Sequence, residues 1–175
     1  MTIDEALALI RTIPDYPKPG IQFKDITPLL LDRAAFSKVI ETLSLHADAS
    51  DLIAGIEARG FILASAIAIK SNRGFIPIRK SGKLPFQTYS KSYGLEYGAD
   101  TLEIHTDSLD KAKNVLLVDD VLATGGTMCA AIELIELCGG KITGIITLME
   151  IAALGGREKI LQKYPHVTIT SLAIC

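Results

Sequence analysis

The sequence predicts an α/β fold, a central and mostly parallel sheet flanked by helices, on three observations. Short apolar runs recur along the chain, stretches of helical composition separate them, and the runs lack the strict alternation of strands that face water on one side. The runs are LIAG at 52–55, FIPI at 75–78, VLLV at 115–118, ITGIITLM at 142–149 and VTITSLAI at 167–174. Between them lie GFILASAIAIK at 60–70, TMCAAIELIELCGG at 127–140 and GGREKILQK at 155–163, with Gly139 and Gly140 where a helix end favours a left-handed cap.

Ahead of the first run, Thr2 and Glu5 have the spacing of a capping box, and Ala6, Leu7, Leu9 and Ile10 continue a mostly apolar first helix. Pro14, Pro17, Pro19 and Gly20 end that helix and leave an irregular stretch before IQFKDITPLL. Asp32 is placed to cap a second helix that turns Phe36, Val39, Ile40 and Leu43 toward the core. The segment from Pro85 to His105 departs from the helix–strand alternation. It holds three tyrosines, has little helical period, and closes on Leu102 and Ile104 alternating with polar residues. It reads as a β-rich hairpin or flap, the kind of insertion that often serves as a lid.

At 175 residues the chain suits a single domain, 1–175, with no repeat, low-complexity stretch or linker to divide it. Apolar residues make up 49%, yet no run approaches the roughly 20 residues of a membrane span. The acidic, helix-patterned N-terminus argues against a signal peptide, so a cytoplasmic protein is expected. Cys129, Cys138 and Cys175 lack the spacing of a zinc site or disulfide framework and read as reduced thiols. A net charge of -2 gives no ground for a nucleic-acid partner. His46, His105 and His166 have no plausible ligand set around them and read as non-catalytic.

Chemistry concentrates at 115–127, VLLVDDVLATGGT. An apolar strand delivers Asp119 and Asp120 to the carboxyl edge of the sheet, where ligands of open α/β folds bind. Ala123, Thr124, Gly125, Gly126 and Thr127 then lead into a helix start. There small residues admit a close backbone, two hydroxyls add donors, and unpaired N–H groups attract an anion. Carboxylates repel a phosphate, so their presence calls for a ligand that also brings hydroxyl donors or a divalent cation, and a sugar phosphate has both ends. The plain alternative, two acids that merely close a strand and cap a helix, stays open on residue grounds.

Other segments are open in the same way. GIEARGFI has P-loop glycine spacing, but Phe61 and Ile62 replace the required Lys and Ser/Thr, so it is not an NTPase signature. Its Arg59 offers a planar fork suited to a diphosphate, or to a surface ion pair. Arg79, Lys80 and Lys83 form a local basic cluster, which is either an anion contact or a solvated face. Glu96 lies between two glycines in the flap, as a proton acceptor or an exposed loop acid. Phe23 is either a stacking platform or core.

VLLVDDVLATGGT resembles, at all thirteen positions, the 5-phosphoribosyl 1-pyrophosphate (PRPP) signature of the type I phosphoribosyltransferases. PKPGIQFKDITPLL, GIEARGFILASAIA, IRKSGKLPF, YGLEYGADTLEIH and LMEIAALGGREKI resemble, in order, the branch of that family acting on adenine. The resemblance implies a hood-like N-terminal segment on the α/β core and transfer of ribose 5-phosphate from PRPP to N9 of adenine, giving AMP and pyrophosphate with Mg2+. It assigns Asp119 and Asp120 to the ribose hydroxyls and residues 123–127 to the 5′-phosphate. Arg59, Arg79 and Lys83 go to pyrophosphate, the last two in a neighbouring subunit of a homodimer. It further assigns Phe23, Lys24 and Val121 to the base, Glu96 to proton management, and a non-proline cis peptide to Glu57–Ala58. No protein side chain is expected to ligate the metal directly, Mg2+ being held mainly by PRPP. Two rivals remain: a phosphoribosyltransferase for another base such as xanthine, guanine or orotate, and a non-catalytic PRPP-sensing regulator.

Overall fold

A computed structural model describes residues 1–95, 98–109 and 113–175, with the backbone alone at 95, 98 and 99. The chain divides into two compact units, Met1–Leu45 and His46–Cys175.

In the N-terminal unit, helix α1 (Ile3–Leu7) starts on a capping box in which Thr2 and Glu5 satisfy each other's backbone N–H groups. It is shorter than its apolar pattern predicts. Leu9 and Ile10 lie beyond it, and the chain enters strand β1 (Arg11–Pro14), which pairs antiparallel with β2 (Gln22–Asp25). Arg11 stands opposite Asp25 in that register and forms an ion pair with it, a cross-strand contact that favours hairpin over helix. A short helix α2 (Thr27–Leu31) leads to α3 (Arg33–Ser44), and Asp32 caps α3 by accepting from the backbone N–H groups of Ala34 and Ala35, both at 2.9 Å. Val39, Ile40 and Leu43 are buried, as the spacing predicts.

The second unit is built on a seven-stranded sheet. Its elements are β3 (Leu52–Ile56), α4 (Arg59–Lys70), β4 (Gly74–Lys80), β5 (Thr88–Leu95), β6 (Gly98–His105), β7 (Asn114–Leu122), α5 (Gly126–Leu137), β8 (Lys141–Glu150), a 3-10 turn (Ala152–Leu154), α6 (Gly156–Lys163) and β9 (Thr168–Ile174). The strand order is β5-β6-β4-β3-β7-β8-β9. Strands β4, β3, β7, β8 and β9 run parallel, while β6 pairs antiparallel with both β4 and β5. The predicted flap is therefore a hairpin whose root joins the main sheet, Arg79 and Lys80 of β4 facing Glu103 and Leu102. Helix α4 packs on β3, β4 and β7, and α5 on β5 through β8. Ala54, Ile56, Val115, Leu117, Ile132, Ile135 and Ile145 belong to one buried cluster, while Ile53, Leu116 and Val118 of the same strands are buried outside it. These strands are thus apolar on both faces, which is why their sequence does not alternate.

Candidate functional site

The sequence reading ends a strand at Val118; in the structure β7 continues to Leu122, because Asp119, Val121 and Leu122 keep pairing with Thr147, Met149 and Glu150 of β8. Asp119 and Asp120 are thus fixed within a strand rather than on a loose loop. Ala123, Thr124 and Gly125 then turn the chain into α5, with Gly125 at φ 77° as the N-cap, a left-handed conformation that glycine adopts without steric cost. A cavity of about 300 Å³ opens at this edge. It is lined by Asp119, Asp120, Val121, Ala123, Thr124, Gly125 and Thr127 from this stretch, by Glu57, Ala58 and Arg59 before and at the start of α4, and by Lys80, Tyr93 and Asp100 from the sheet and hairpin. Gly126 faces elsewhere, with the Tyr93 ring 3.5 Å from where a Cβ would stand.

The two acids are almost withdrawn from solvent, at 9% and 4% exposure. The Asp120 N–H donates to Asp119 Oδ1 at 2.9 Å. Burial, with the Asp120 charge adding to it, pushes the Asp119 carboxyl well above the usual carboxylate range. Burial raises Asp120 as well, against the pull of the Arg59 guanidinium. Arg59 Nη2 lies 3.0 Å from Asp120 Oδ2, yet that buried oxygen accepts no aligned hydrogen bond among the described residues. A buried carboxylate beside a helix N-terminus, its Oδ2 met by an ion pair rather than an aligned hydrogen bond, is suited to a ligand that brings hydroxyl donors at one end and an anion at the other.

The peptide Glu57–Ala58 is cis, at the position the resemblance implies. The Glu57 carboxylate accepts from Arg79 Nε at 3.2 Å and Lys80 N at 3.0 Å, and bonds the Lys83 ammonium. Burial alone would raise Glu57; these donors outweigh it and hold the carboxyl below its usual range. Arg79 and Lys83 do not line the cavity of their own chain, so the structure does not bring them to Asp119 and Asp120. Lys80 does line it, and its ammonium pairs with Asp100 Oδ2 at 2.8 Å. Successive strand residues point to opposite faces, so a single basic run at 79–80 has to divide in this way. That periodicity was the available signal for Lys80, which sequence reasoning left out of the site.

Phe23 and Lys24 belong to the N-terminal unit, where the Phe23 ring packs edge-on against Tyr16 at 5.2 Å and Lys24 Nζ donates to Thr12 Oγ1 at 2.9 Å. The expectation for Glu96 lies outside the described residues.

A family model of the phosphoribosyl transferase domain matches residues 29–171. Among curated relatives, an adenine phosphoribosyltransferase of Symbiobacterium thermophilum is 52% identical over 153 residues, 86% of this chain and 90% of that protein. Among solved structures, the adenine phosphoribosyltransferase of Thermoanaerobacter pseudethanolicus superposes with a TM-score of 0.93 at 46% identity, covering 99% of this chain and 100% of the other. The Giardia lamblia enzyme in complex with 9-deazaadenine gives 0.93 at 42% identity, covering 100% and 98%.

Proposed function

This chain belongs to the phosphoribosyl transferase domain family, and from that premise we propose that it transfers ribose 5-phosphate from PRPP to N9 of adenine, releasing pyrophosphate and forming AMP. The observation that carries this reading is the shared cavity: two buried carboxylates, one ion-paired to Arg59, stand beside a left-handed glycine turn at the head of a twelve-residue helix. In it, Asp119 and Asp120 accept from the ribose hydroxyls, and residues 123–127 hold the 5′-phosphate through N–H groups and the Thr124 and Thr127 hydroxyls. Arg59 and Lys80 face the diphosphate. As N9 approaches C1′, the C1′–O bond to diphosphate lengthens and its electron pair leaves on oxygen, so the ribose gains positive character while the leaving group gains negative charge. Asp119 and Asp120 favour the first change and the cations the second. Glu96 receives the proton that adenine loses. Phe23 stacks on the base and the backbone beside Lys24 reads its Watson–Crick edge, while Val121 is a base contact by the resemblance.

The residues fit Mg2+ in one specific way. Among the described residues no set of three His, Cys, Asp or Glu side chains is grouped to hold a metal. Mg2+ keeps several waters and binds substrate phosphates rather than an all-protein cage, so the cation would be carried mainly by PRPP, with no protein side chain as a direct ligand. Carried in that way, Mg2+ would neutralise charge on the departing diphosphate. Residues 1–175 act as one catalytic domain, and a homodimer is supported by the apolar side chains that α4 and β4 leave exposed, Ile62 at 40%, Ile69 at 84% and Phe75 at 37%. Three free cysteines suit the reducing cytoplasm.

A panel of free bases with PRPP and Mg2+ tests the reading. Adenine presents an amino donor at position 6 where hypoxanthine, guanine and xanthine present a carbonyl acceptor, so two backbone hydrogen bonds reverse. At about 1–3 kcal/mol per unpaired group, kcat/KM should favour adenine by about 10²–10⁴. In the same assay Glu96→Gln should lose turnover by about 10²–10⁴ with PRPP affinity kept. Equal use of any 6-oxopurine refutes the base assignment, and no turnover with any base refutes the reaction.

A further inference from the structure

Among the described residues the cavity's acids outnumber its bases, four carboxylates, Glu57, Asp100, Asp119 and Asp120, lining it against the two cations Arg59 and Lys80. Arg59 faces Asp120 at 3.0 Å and Lys80 faces Asp100 at 2.8 Å. For a site that takes a highly charged anion this is an unexpected balance, and two of the four acids have no part in the chemistry assigned above: Glu57, which Arg79 and Lys83 engage, and Asp100. The Asp100 carboxylate is nevertheless well held. Besides Lys80 it accepts from the Tyr93 hydroxyl at 3.3 Å and from the backbone N–H of Thr101 at 2.9 Å. Tyr93 and Asp100 are cross-strand partners in the β5–β6 hairpin, so the charge is carried on the flap, not on the strands that hold the acid pair.

Resting on the phosphoribosyl-transfer reading, we propose that Asp100 is a positioning residue that competes with the diphosphate for Lys80. A diphosphate oxygen that reaches the Lys80 ammonium meets the Asp100 carboxylate already there, and like charges at that distance repel. Diphosphate entry therefore transfers Lys80 from Asp100 to the ligand and pushes the hairpin strand that carries Asp100. When C1′ has been transferred, the return of Lys80 to Asp100 helps expel pyrophosphate. The competition weakens PRPP binding and speeds product departure together, which is useful where release limits turnover.

Titration calorimetry of inorganic pyrophosphate with Mg2+ tests this on the full chain. Asp100→Asn is expected to tighten pyrophosphate about fivefold, the size of a partly exposed ion pair, and to lower the KM for PRPP while kcat falls or stays level. Loss of any nearby negative charge would also favour an anion, so the same substitution is made in a Lys80→Met background. There the tightening should shrink below about twofold, because the competition runs through Lys80. Asp100→Ser, which removes the charge without an amide, should repeat the pattern and guards against a distorted hairpin in the first variant. Unchanged or weaker pyrophosphate binding in both Asp100 variants overturns the proposal, as does a tightening of full size without Lys80. A wild-type chain that fails to bind pyrophosphate overturns the phosphoribosyl-transfer reading itself.

Discussion

Gly156 is where the phosphate loop gets its backing. A Cβ on it would run into the Ala123 carbonyl oxygen and lie 2.9 Å from Gly125 N, while a Cβ on Gly125 would lie 2.7 Å from the Gly156 carbonyl oxygen. Both obstacles are backbone, which cannot swing aside as a side chain does, so Gly156→Ala must displace the loop itself. Overpacking of this kind costs about 1–3 kcal/mol, and on the proposal that the loop carries the 5′-phosphate donors, ribose 5-phosphate should bind about tenfold or more weakly. A calorimetric titration giving wild-type affinity would mean that the loop does not depend on this contact. Gly60 works similarly at the first acid, since a Cβ there would come 2.7 Å from Asp119 Oδ1. This scale also decides what the sequence can disclose. Asp119, Asp120 and the loop at 123–127 are legible because they are contiguous and of a kind, whereas Gly156 and Asp100 reach the site from 30 residues downstream and from a neighbouring hairpin. A paired glycine at 155–156 reads as a helix start until the fold places it under the loop.

Among the elements, α6 is tied to the sheet by the half-buried Arg157–Glu150 ion pair as well as by the buried Ile160. Arg157 donates to the Glu150 carboxylate from Nε at 2.9 Å and from Nη2, and its Nη1 donates to the Ile169 carbonyl at 2.9 Å, so a single guanidinium joins α6 to the ends of β8 and β9. Glu150 also accepts from Ser171 at 3.0 Å. Arg157 holds the Glu150 carboxyl below its usual range, against the effect of burial. A carboxyl with a lowered folded pKa stabilises above its unfolded pKa, near 4.5, and that contribution is lost as pH falls through the folded value. Wild-type stability should therefore decline on acidification below that point. Arg157→Met leaves the acid buried and unpaired, which costs about 3 kcal/mol at neutral pH, the low end for a broken buried pair because Arg157 keeps 29% exposure. Its Glu150 pKa should then lie above normal, so that the variant regains stability on acidification where wild type loses it. Urea midpoints from about pH 7 down to about pH 3, a range that spans the fall below 4.5, read both slopes, and parallel slopes would remove the pair's role. The elements themselves were legible wherever apolar runs and helical faces were long. The first helix was misjudged because Leu9 and Ile10 keep its period, while the ion pair that recruits the next residues into a hairpin comes from Asp25, beyond any local window.

At the scale of the whole molecule, the cations proposed for the diphosphate divide into two sets. Arg59 and Lys80 line the cavity of their own chain, while Arg79 and Lys83, which do not line it, are gathered on the carboxylate of Glu57 at its edge. The adjacent α4 and β4 leave Ile62, Ile69 and Phe75 exposed as apolar surface, and β4 also carries Arg79. In a two-fold dimer an isologous contact through that surface would offer each chain's Arg79 and Lys83 to the other's cavity. This has a consequence that a self-contained site does not share. Asp119→Asn with Asp120→Asn disables a chain's own cavity but leaves its Arg79 and Lys83 intact; Arg79→Ala with Lys83→Ala does the reverse. Each double variant alone should be nearly inactive. When the two are unfolded, mixed in equal amounts and refolded, half of the dimers are hybrids, and each hybrid has one cavity with both halves intact. Adenine-dependent turnover should then recover to about one quarter of wild type. A mixture no more active than its two parents would show that each site is completed within one chain, and would leave Arg79 and Lys83 as partners of Glu57 alone.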